Sequence, residues 1–146
     1  MYLKRKLKKM RKVGFTCGAF DLCHAGHIQM LQEARGRCDY LICGLHVDPS
    51  AERKSKSTPI QTIVERYIQL MAVKYVDEVV PYCTETDLLD IFTAFPIDIR
   101  IIGEEYKNVE FTGKTLCREL GIEIYFNTRS HRFSSTNLRD QLEKSI

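Results

Sequence analysis

The sequence of 146 residues contains no run of 18 apolar residues, no Cys-x-x-Cys pair and no tryptophan. The first absence argues against a membrane-spanning helix, because about 20 consecutive apolar residues are needed to cross the hydrocarbon core. The lysine-rich beginning also lacks the apolar stretch of a secretory signal, so we expect a cytoplasmic protein. In that reducing compartment, scattered cysteines are expected to be buried thiols rather than disulfides, and there are six: Cys17, Cys23, Cys38, Cys43, Cys83 and Cys117.

Charge is distributed unevenly along the chain. Residues 4–12 hold seven lysines and arginines, which leaves 15 of the 22 bases against 19 acids elsewhere. A basic arm at residues 1–12 is either a solvated terminus or a weak contact for an anionic membrane. Because the remaining body is acidic, we expect no nucleic-acid partner. No linker or repeat divides residues 13–146, which therefore form a single predicted domain.

Short apolar runs alternate with amphipathic stretches along this domain. The runs lack strict alternation, which is typical of strands covered on both faces, and lie at residues 13–16, 40–45, 78–82, 99–103 and 123–126. Five strands alternating with five helices predict a three-layer α/β/α fold around a five-stranded parallel sheet. Ligands of such sheets bind beyond the carboxyl ends of the strands.

Helical spacing places the apolar residues of each predicted helix on one face. The second helix is expected to use Ile63, Tyr67, Leu70 and Met71 in this way. The third is predicted over 86–95, and the last begins after a cap at Ser134 or Ser135 and runs to about Lys144.

Chemistry is concentrated in residues 16–27, which leave the first predicted strand and enter a helix at about His27. Gly18 allows close backbone approach to a ligand, and the helix amino end attracts an anion. His24 and His27 flank Gly26 and can direct donors at the same phosphate oxygens. Two histidines three residues apart are also compatible with core or surface positions. No further ligands are spaced to complete a metal site around them.

This stretch, TCGAFDLCHAGH, resembles the cytidylyltransferase signature G-x-F-D-x-x-H-x-G-H at every fixed position. Residues 74–81 are similar to the family's R-Y-V-D-E-V-V-P, with lysine at the first place, and residues 129–136 are similar to its R-T-x-G-I-S-T-T. The resemblance covers residue 13 to about 142 and implies a Rossmann-like nucleotidyltransferase. In that family the phosphate of a second substrate attacks the α-phosphorus of a nucleotide, and pyrophosphate leaves.

The resemblance also implies roles for individual residues. His24 and His27 would contact the triphosphate, Lys56 would be the catalytic lysine with Lys54 as the alternative, and Arg129 would bind the β- and γ-phosphates. Asp21 would hold the loop in place, and Arg66 would organise the active site or a dimer contact. Glu105 would lie near the acceptor or give structural support. The expected nucleotide-binding set is Gly18, Ala19, Phe20, Gly26, Gly103, Ser134, Ser135 and Thr136. Mg²⁺ would accompany the nucleotide without a dedicated protein site, and a homodimer is implied by the family alone.

Residues 103–106 read Gly-Glu-Glu-Tyr where the family commonly has Gly-Asp-Asp-Trp, and Arg132 replaces a glycine. These departures lie near the acceptor and the base, so they bear on the identity of both. Because Arg129 stands ahead of Ser-Ser-Thr, we expect CMP transfer from CTP to glycerol 3-phosphate or a related phospho-alcohol. Two alternatives remain open. One is an adenylyltransferase of the sugar-phosphate or flavin type. The other is a regulatory module that binds a nucleotide without turnover.

Overall fold

The computed structural model describes residues 11–128 and 133–146. The predicted basic arm lies outside the described residues except for Arg11 and Lys12, and so does Arg129. The main elements are β1 (Val13–Gly18), α1 (Ala25–Arg35), β2 (Tyr40–His46), α2 (Ile63–Met71), β3 (Glu78–Tyr82), α3 (Glu85–Ala94), β4 (Ile99–Gly103), α4 (Lys114–Glu119), β5 (Glu123–Asn127) and α5 (Ser135–Ser145).

The five strands form one parallel sheet in the order β3-β2-β1-β4-β5. The chain winds outward from β1 in one direction through β2 and β3, then returns to the other side of β1 for β4 and β5. The winding therefore reverses between β1 and β4, where open parallel sheets bind their ligands. The predicted α/β fold with a five-stranded parallel sheet is confirmed.

Each face of the sheet is covered by its own apolar core. One core contains Leu31 and Ala34 of α1, Leu70 of α2, and Ile99 and Ile101 of β4. The opposite core contains residues of α3 and α4, packed on Phe15 and Ile42 and including Leu88, Ile91, Phe92 and Cys117. Both faces are buried, which explains why the strands are apolar at nearly every position.

The buried face of α2 differs from the predicted one. Leu70 is buried and Ile63 is partly buried, but Tyr67 and Met71 are exposed. The third buried position belongs to Arg66, whose guanidinium donates to backbone carbonyls and can therefore occupy an interior site. Apolar spacing alone placed Tyr67 on the wrong side because an arginine occupies the place where a core residue was expected.

Residues 74–81, which resemble R-Y-V-D-E-V-V-P, make structural contacts at the amino ends of the strands. The carboxylate of Asp77 accepts a hydrogen bond from the Leu41 amide at 2.8 Å and forms an ion pair with Arg35 at 3.1 Å. Glu78 accepts a hydrogen bond from the Tyr40 hydroxyl. These contacts connect the entry to β3 with the start of β2 and the end of α1.

All six cysteines are free thiols, but they are not all buried. Cys43 and Cys117 are buried, Cys17, Cys23 and Cys38 are partly buried, and Cys83 is exposed just after β3. The expectation of buried thiols is therefore wrong for Cys83. No helix among the described residues combines the length and the apolar character that a membrane crossing requires.

Packing over Gly44 generates a stability prediction. A Cβ at this position would lie 2.7 Å from the Phe15 ring and 3.0 Å from the Cys17 Cβ, in the middle of the sheet. Gly44→Ala should therefore lower the free energy of unfolding by about 1–3 kcal/mol, as overpacked cores do. Urea unfolding followed by circular dichroism measures the change.

The matched control is Gly36→Ala, because Gly36 is exposed and has right-handed helical backbone angles. It should change the free energy of unfolding by less than about 0.5 kcal/mol. Equal effects of the two substitutions would contradict the packing argument.

Candidate functional site

A cleft of about 520 Å³ opens above the carboxyl ends of the strands. The final residue of every strand contributes to its wall, and these residues are Gly18, His46, Tyr82, Gly103 and Asn127. Its size falls within the range of small-molecule sites. The cleft lies at the edge of the sheet where the winding reverses, as the strand pattern predicts.

His24 and His27 line the cleft with their rings stacked, the centroids 3.9 Å apart and the planes inclined by 24°. His24 is the N-cap of α1, which begins at Ala25 and thus two residues earlier than the sequence suggested. Its Nδ1 accepts a hydrogen bond from the Gly26 amide at 3.0 Å. The Nδ1 of His27 accepts one from the His24 amide at 3.3 Å.

These two caps determine which ring nitrogens can donate. A nitrogen that accepts a hydrogen bond carries no proton, so the neutral ring holds its proton on Nε2. Because both Nδ1 atoms face backbone amides, His24 and His27 each have Nε2 as the donor atom. Two stacked imidazole donors at the amino end of a helix form a site suited to an anion.

A second helix amino end borders the same cleft. Ser134 is the N-cap of α5, and its side chain accepts a hydrogen bond from the Asn137 amide at 3.0 Å. Ser134 and Thr136 line the cleft together with Phe133, while Ser135 forms the first residue of the helix. The amino ends of α1 and α5 therefore border one common space.

The loop after β2 contributes cations to the cleft. Lys56 and Arg53 line it, whereas Lys54, the alternative lysine, is not among the lining residues. Arg129 lies outside the described residues, so the structure gives no position for it. Among the described part of the chain, the predicted lysine thus faces the same space as the two histidines.

The β1–α1 loop is anchored by a buried carboxylate. Gly18, Ala19, Phe20 and Gly26 line the cleft, but Asp21 faces away from it and is only 5% exposed. Its two oxygens accept hydrogen bonds from the amides of Ile60 and Gln61 at 2.8 and 2.9 Å. Asp21 also forms a salt bridge with Arg139 of α5.

The residues on either side of Asp21 have unusual backbone angles. Phe20 and Leu22 have φ of 48° and 51°, in the left-handed region that non-glycine residues rarely adopt. The Leu22 amide donates to the Gln61 side chain at 2.9 Å. The contacts of this loop thus maintain a conformation that costs about 1–3 kcal/mol at each such residue.

Arg66 is 2% exposed and does not line the cleft. Its guanidinium donates to four backbone carbonyls, those of Ala19, His46, Val47 and Gln61. The side chain therefore joins α2 to the β1–α1 loop and to the end of β2. This geometry positions the walls of the cleft and brings no charge into it.

Two carboxylates line the cleft, those of Glu85 and Glu105. Gly103, directly before the short turn that contains Glu105, has no Cβ to clash with that carboxylate. Within residues 11–128 and 133–146, no group of three histidine, cysteine or acidic side chains is arranged to hold a metal ion. One or two carboxylates are nevertheless compatible with Mg²⁺ that arrives on phosphate oxygens.

Several lining residues were not identified from the sequence. They are Arg53, His46, Tyr82, Arg100, Tyr106, Phe111 and Asn127. For most of them the sequence pattern did not distinguish a cleft residue, because polar and aromatic residues are common at the ends of strands. Arg100 is the exception, because a charged residue within an apolar strand already marks an unusual position.

The anchoring of Asp21 predicts a pH dependence. Burial alone would raise the pKa of Asp21, but hydrogen bonds from the Gln61 and Ile60 amides and the Arg139 cation outweigh it and lower the pKa. A carboxyl with a lowered folded-state pKa stabilises the fold above its unfolded pKa, and this contribution is lost as the pH falls through the folded value. Asp21→Asn should lower the free energy of unfolding by about 1–3 kcal/mol at pH 7.

Urea unfolding of both proteins between pH 7 and pH 3 measures the effect. The difference between them should shrink below about pH 4, because the carboxyl of the unfolded chain takes up its proton there while the folded carboxylate, with its lowered pKa, is still ionised. Asp90→Asn, at an exposed position of α3, is the control and should show little effect. A difference for Asp21→Asn that stays constant down to pH 3 would contradict the assignment.

Comparison with known proteins agrees with this geometry. The family model described as cytidylyltransferase-like matches residues 15–141. Bifunctional protein HldE of Helicobacter hepaticus is 34% identical over 138 residues, which cover 94% of this chain and 28% of that protein. A probable ethanolamine-phosphate cytidylyltransferase of Encephalitozoon cuniculi is 44% identical over 84 residues, covering 56% of this chain and 26% of that protein.

Solved structures show the same architecture. The lipopolysaccharide core biosynthesis protein from Thermoplasma volcanium superposes with a TM-score of 0.67 at 25% identity, over 84% of this chain and 99% of that one. A pantothenate synthetase from Thermus thermophilus shares the fold, with a TM-score of 0.64 at 16% identity over 96% and 68% of the two chains. The chain spans little more than a quarter of the curated relatives it matches. With the match over residues 15–141, this chain belongs to the cytidylyltransferase-like family of nucleotidyltransferases.

Proposed function

We propose that the protein transfers CMP from CTP to a phosphorylated alcohol, such as glycerol 3-phosphate, phosphocholine or phosphoethanolamine, and releases pyrophosphate. The observation that carries this proposal is the pair of stacked imidazoles at the start of α1, whose Nδ1 atoms are both engaged by the backbone. A donor pair of this kind suits an anion that gains charge during the reaction.

The reaction needs no protein nucleophile. An oxygen of the acceptor phosphate forms a bond to the α-phosphorus, and the bond from that phosphorus to the bridging oxygen of the β-phosphate breaks. Both electrons of the broken bond leave with pyrophosphate. The protein therefore contributes position and charge neutralisation. In this proposal, Nε2 of His24 and Nε2 of His27 donate hydrogen bonds to the reacting phosphoryl group and stabilise its negative charge.

The remaining phosphates are assigned to the other elements of the cleft. Lys56 would approach the triphosphate from the loop after β2, and the amino end of α5 with Ser134, Ser135 and Thr136 would bind its distal phosphates. Arg129, which precedes α5 in sequence, would add a cation there. Mg²⁺ would neutralise the triphosphate, held largely by phosphate oxygens and water.

An adenylyltransferase acting on a sugar phosphate is the second candidate. The observation that favours it is the structural similarity to a lipopolysaccharide core biosynthesis protein. The similarity to a probable ethanolamine-phosphate cytidylyltransferase favours CTP. Both candidates use the same transfer chemistry and differ in the base and the acceptor.

A pyrophosphate-release assay with CTP and with ATP tests the proposal against a panel of phospho-alcohols and sugar phosphates. We expect release with CTP and at least one phospho-alcohol. Turnover with ATP alone would replace the CTP assignment by the adenylyl alternative. Nucleotide binding by calorimetry without turnover on any acceptor would favour the regulatory module.

Lys56→Ala should lower kcat by about 100- to 1,000-fold, the typical loss for one charged contact to a transition state. Lys54→Ala is the matched control, since it removes the same charge from the same loop at a residue that does not line the cleft. It should leave kcat nearly unchanged. If the two variants lose activity equally, the loop acts through its overall charge rather than through Lys56.

We also propose a homodimer that forms through the outer face of α2. Val64 and Ile68 are each 63% exposed, and the exposed Tyr67 and Met71 lie on the same face by helical spacing. The exposed Ile60 precedes the helix. A contiguous apolar stripe on the outside of a monomer is typical of a protein–protein contact. A stripe along one helix can pair with its own copy about a two-fold axis.

Ile68→Glu should convert a dimer into a monomer, because each copy would place a carboxylate in the apolar contact. Size-exclusion chromatography with light scattering measures the mass of both proteins. Val109→Glu is the control, since it introduces the same charge at an exposed residue outside α2. A monomeric wild-type protein, or a dimer that persists with Ile68→Glu, would contradict this interface.

A further inference from the structure

A buried cation lies in the wall of the cleft on the side away from the histidine pair. Arg100 belongs to β4, is 3% exposed and lines the cleft with Leu88, Phe111 and Thr112. Its neighbours in the strand, Ile99 and Ile101, point into the core beneath α1 and α2. Because side chains alternate along a strand, Arg100 points to the opposite face, beneath α3 and α4.

Two aromatic rings lie close to the guanidinium of Arg100. Its central carbon is 4.8 Å from the centroid of Phe92 and 5.0 Å from that of Phe111. One Nη donates a hydrogen bond to the Thr112 carbonyl. The side chain also contacts the Cys117 thiol. Most of its five N–H donors nevertheless have no backbone acceptor.

No carboxylate forms an ion pair with Arg100 in the part of the chain that the structure describes. The remaining residues, 1–10 and 129–132, contain no aspartate or glutamate, so they supply no partner either. A buried cation is costly unless an opposite charge accompanies it. A bound anion in the cleft would supply this charge.

Arg66 shows what a purely structural buried arginine looks like in this fold. Its guanidinium donates to four backbone carbonyls and does not line the cleft. Arg100 donates to one carbonyl and does line the cleft. The contrast between the two side chains indicates that Arg100 has donors available for a ligand.

We propose that Arg100 binds the phosphate of the second substrate. This inference rests on the proposed transfer reaction and deepens it by assigning the acceptor side of the cleft. The triphosphate is assigned to His24 and His27 at the amino end of α1, over one face of the sheet, and Arg100 lies over the other. An attacking oxygen must approach the α-phosphorus opposite the departing pyrophosphate, so a separate cation is needed on that side.

The planar guanidinium suits this task because it can donate two parallel hydrogen bonds to one phosphate. Phe92 and Phe111 hold the guanidinium on its apolar side, and the N–H donors that do not face the Thr112 carbonyl remain for a ligand. The aromatic walls also exclude water, which strengthens the attraction between cation and phosphate. Arg100 thus acts as a substrate-binding residue that selects a phosphorylated acceptor.

Steady-state kinetics of Arg100→Gln tests the assignment. The KM for the phosphorylated acceptor should rise by about 10- to 100-fold, the loss expected for hydrogen bonds to a charged group. The KM for the nucleotide should stay within about two-fold, and Arg100→Lys should recover part of the acceptor affinity. Arg118→Gln, at an exposed position of α4, is the control and should change neither constant.

If Arg100 only holds the Thr112 segment in place, Arg100→Gln should raise both KM values together and lower the thermal unfolding midpoint. That result would overturn the inference. An unchanged acceptor KM with normal wild-type turnover would also overturn it and would leave the proposed transfer reaction intact. If Arg100→Gln does not fold, the comparison of Arg100→Lys with wild type gives the same split between the two KM values.

Binding of inorganic phosphate provides a readout that does not depend on turnover. Calorimetric titration should show one phosphate site fewer in Arg100→Gln than in the wild type and in Arg118→Gln. If the wild type turns over no acceptor, the transfer proposal fails, yet this loss would still support an oxyanion site at Arg100. Equal phosphate binding by all three proteins would overturn the site.

Discussion

The geometry of the cleft depends on the buried carboxylate of Asp21. It accepts hydrogen bonds from the start of the α2 segment and a salt bridge from α5, and so joins three separate parts of the chain. The neighbouring residues Phe20 and Leu22 have left-handed backbone angles that only such external contacts can maintain. Without this anchor, the turn from β1 into α1 would relax, and the imidazoles at its end would lose their common direction.

In the proposed mechanism, each of the two histidines would combine a structural and a chemical role in its ring. His24 caps α1 through Nδ1, a position that serine, threonine or aspartate usually occupies. Those residues would satisfy the helix end equally well, but they would not place a second donor on the far side of a rigid ring. The capping contact is thus what orients the donor, and in the proposed reaction helix stability and phosphate recognition would depend on the same hydrogen bond.

Much of this arrangement could be predicted from the sequence, and the exceptions have physical reasons. The strands at 78–82 and 99–103 were located to the residue, because runs buried on both faces have sharp polar boundaries. The outer face of α2 was misplaced, because the carbonyls that satisfy Arg66 come from distant segments. Arg100 visibly interrupts an apolar run in the sequence. Its proposed role in binding a phosphate, however, follows only from the structure, in which no described carboxylate pairs with it. The roles assigned to Lys56 and Arg129 stay predictions.

The salt bridge between Asp21 and Arg139 has a consequence for how the cleft is assembled. The last helix presents its amino end to the cleft, while Leu138 and Leu142 remain exposed, so apolar burial does little to hold it in place. A polyanion that spans the amino ends of α1 and α5 would act as a second crosslink parallel to the salt bridge. Ligand occupancy and attachment of the last helix are then thermodynamically coupled, and each lowers the entropy cost of the other.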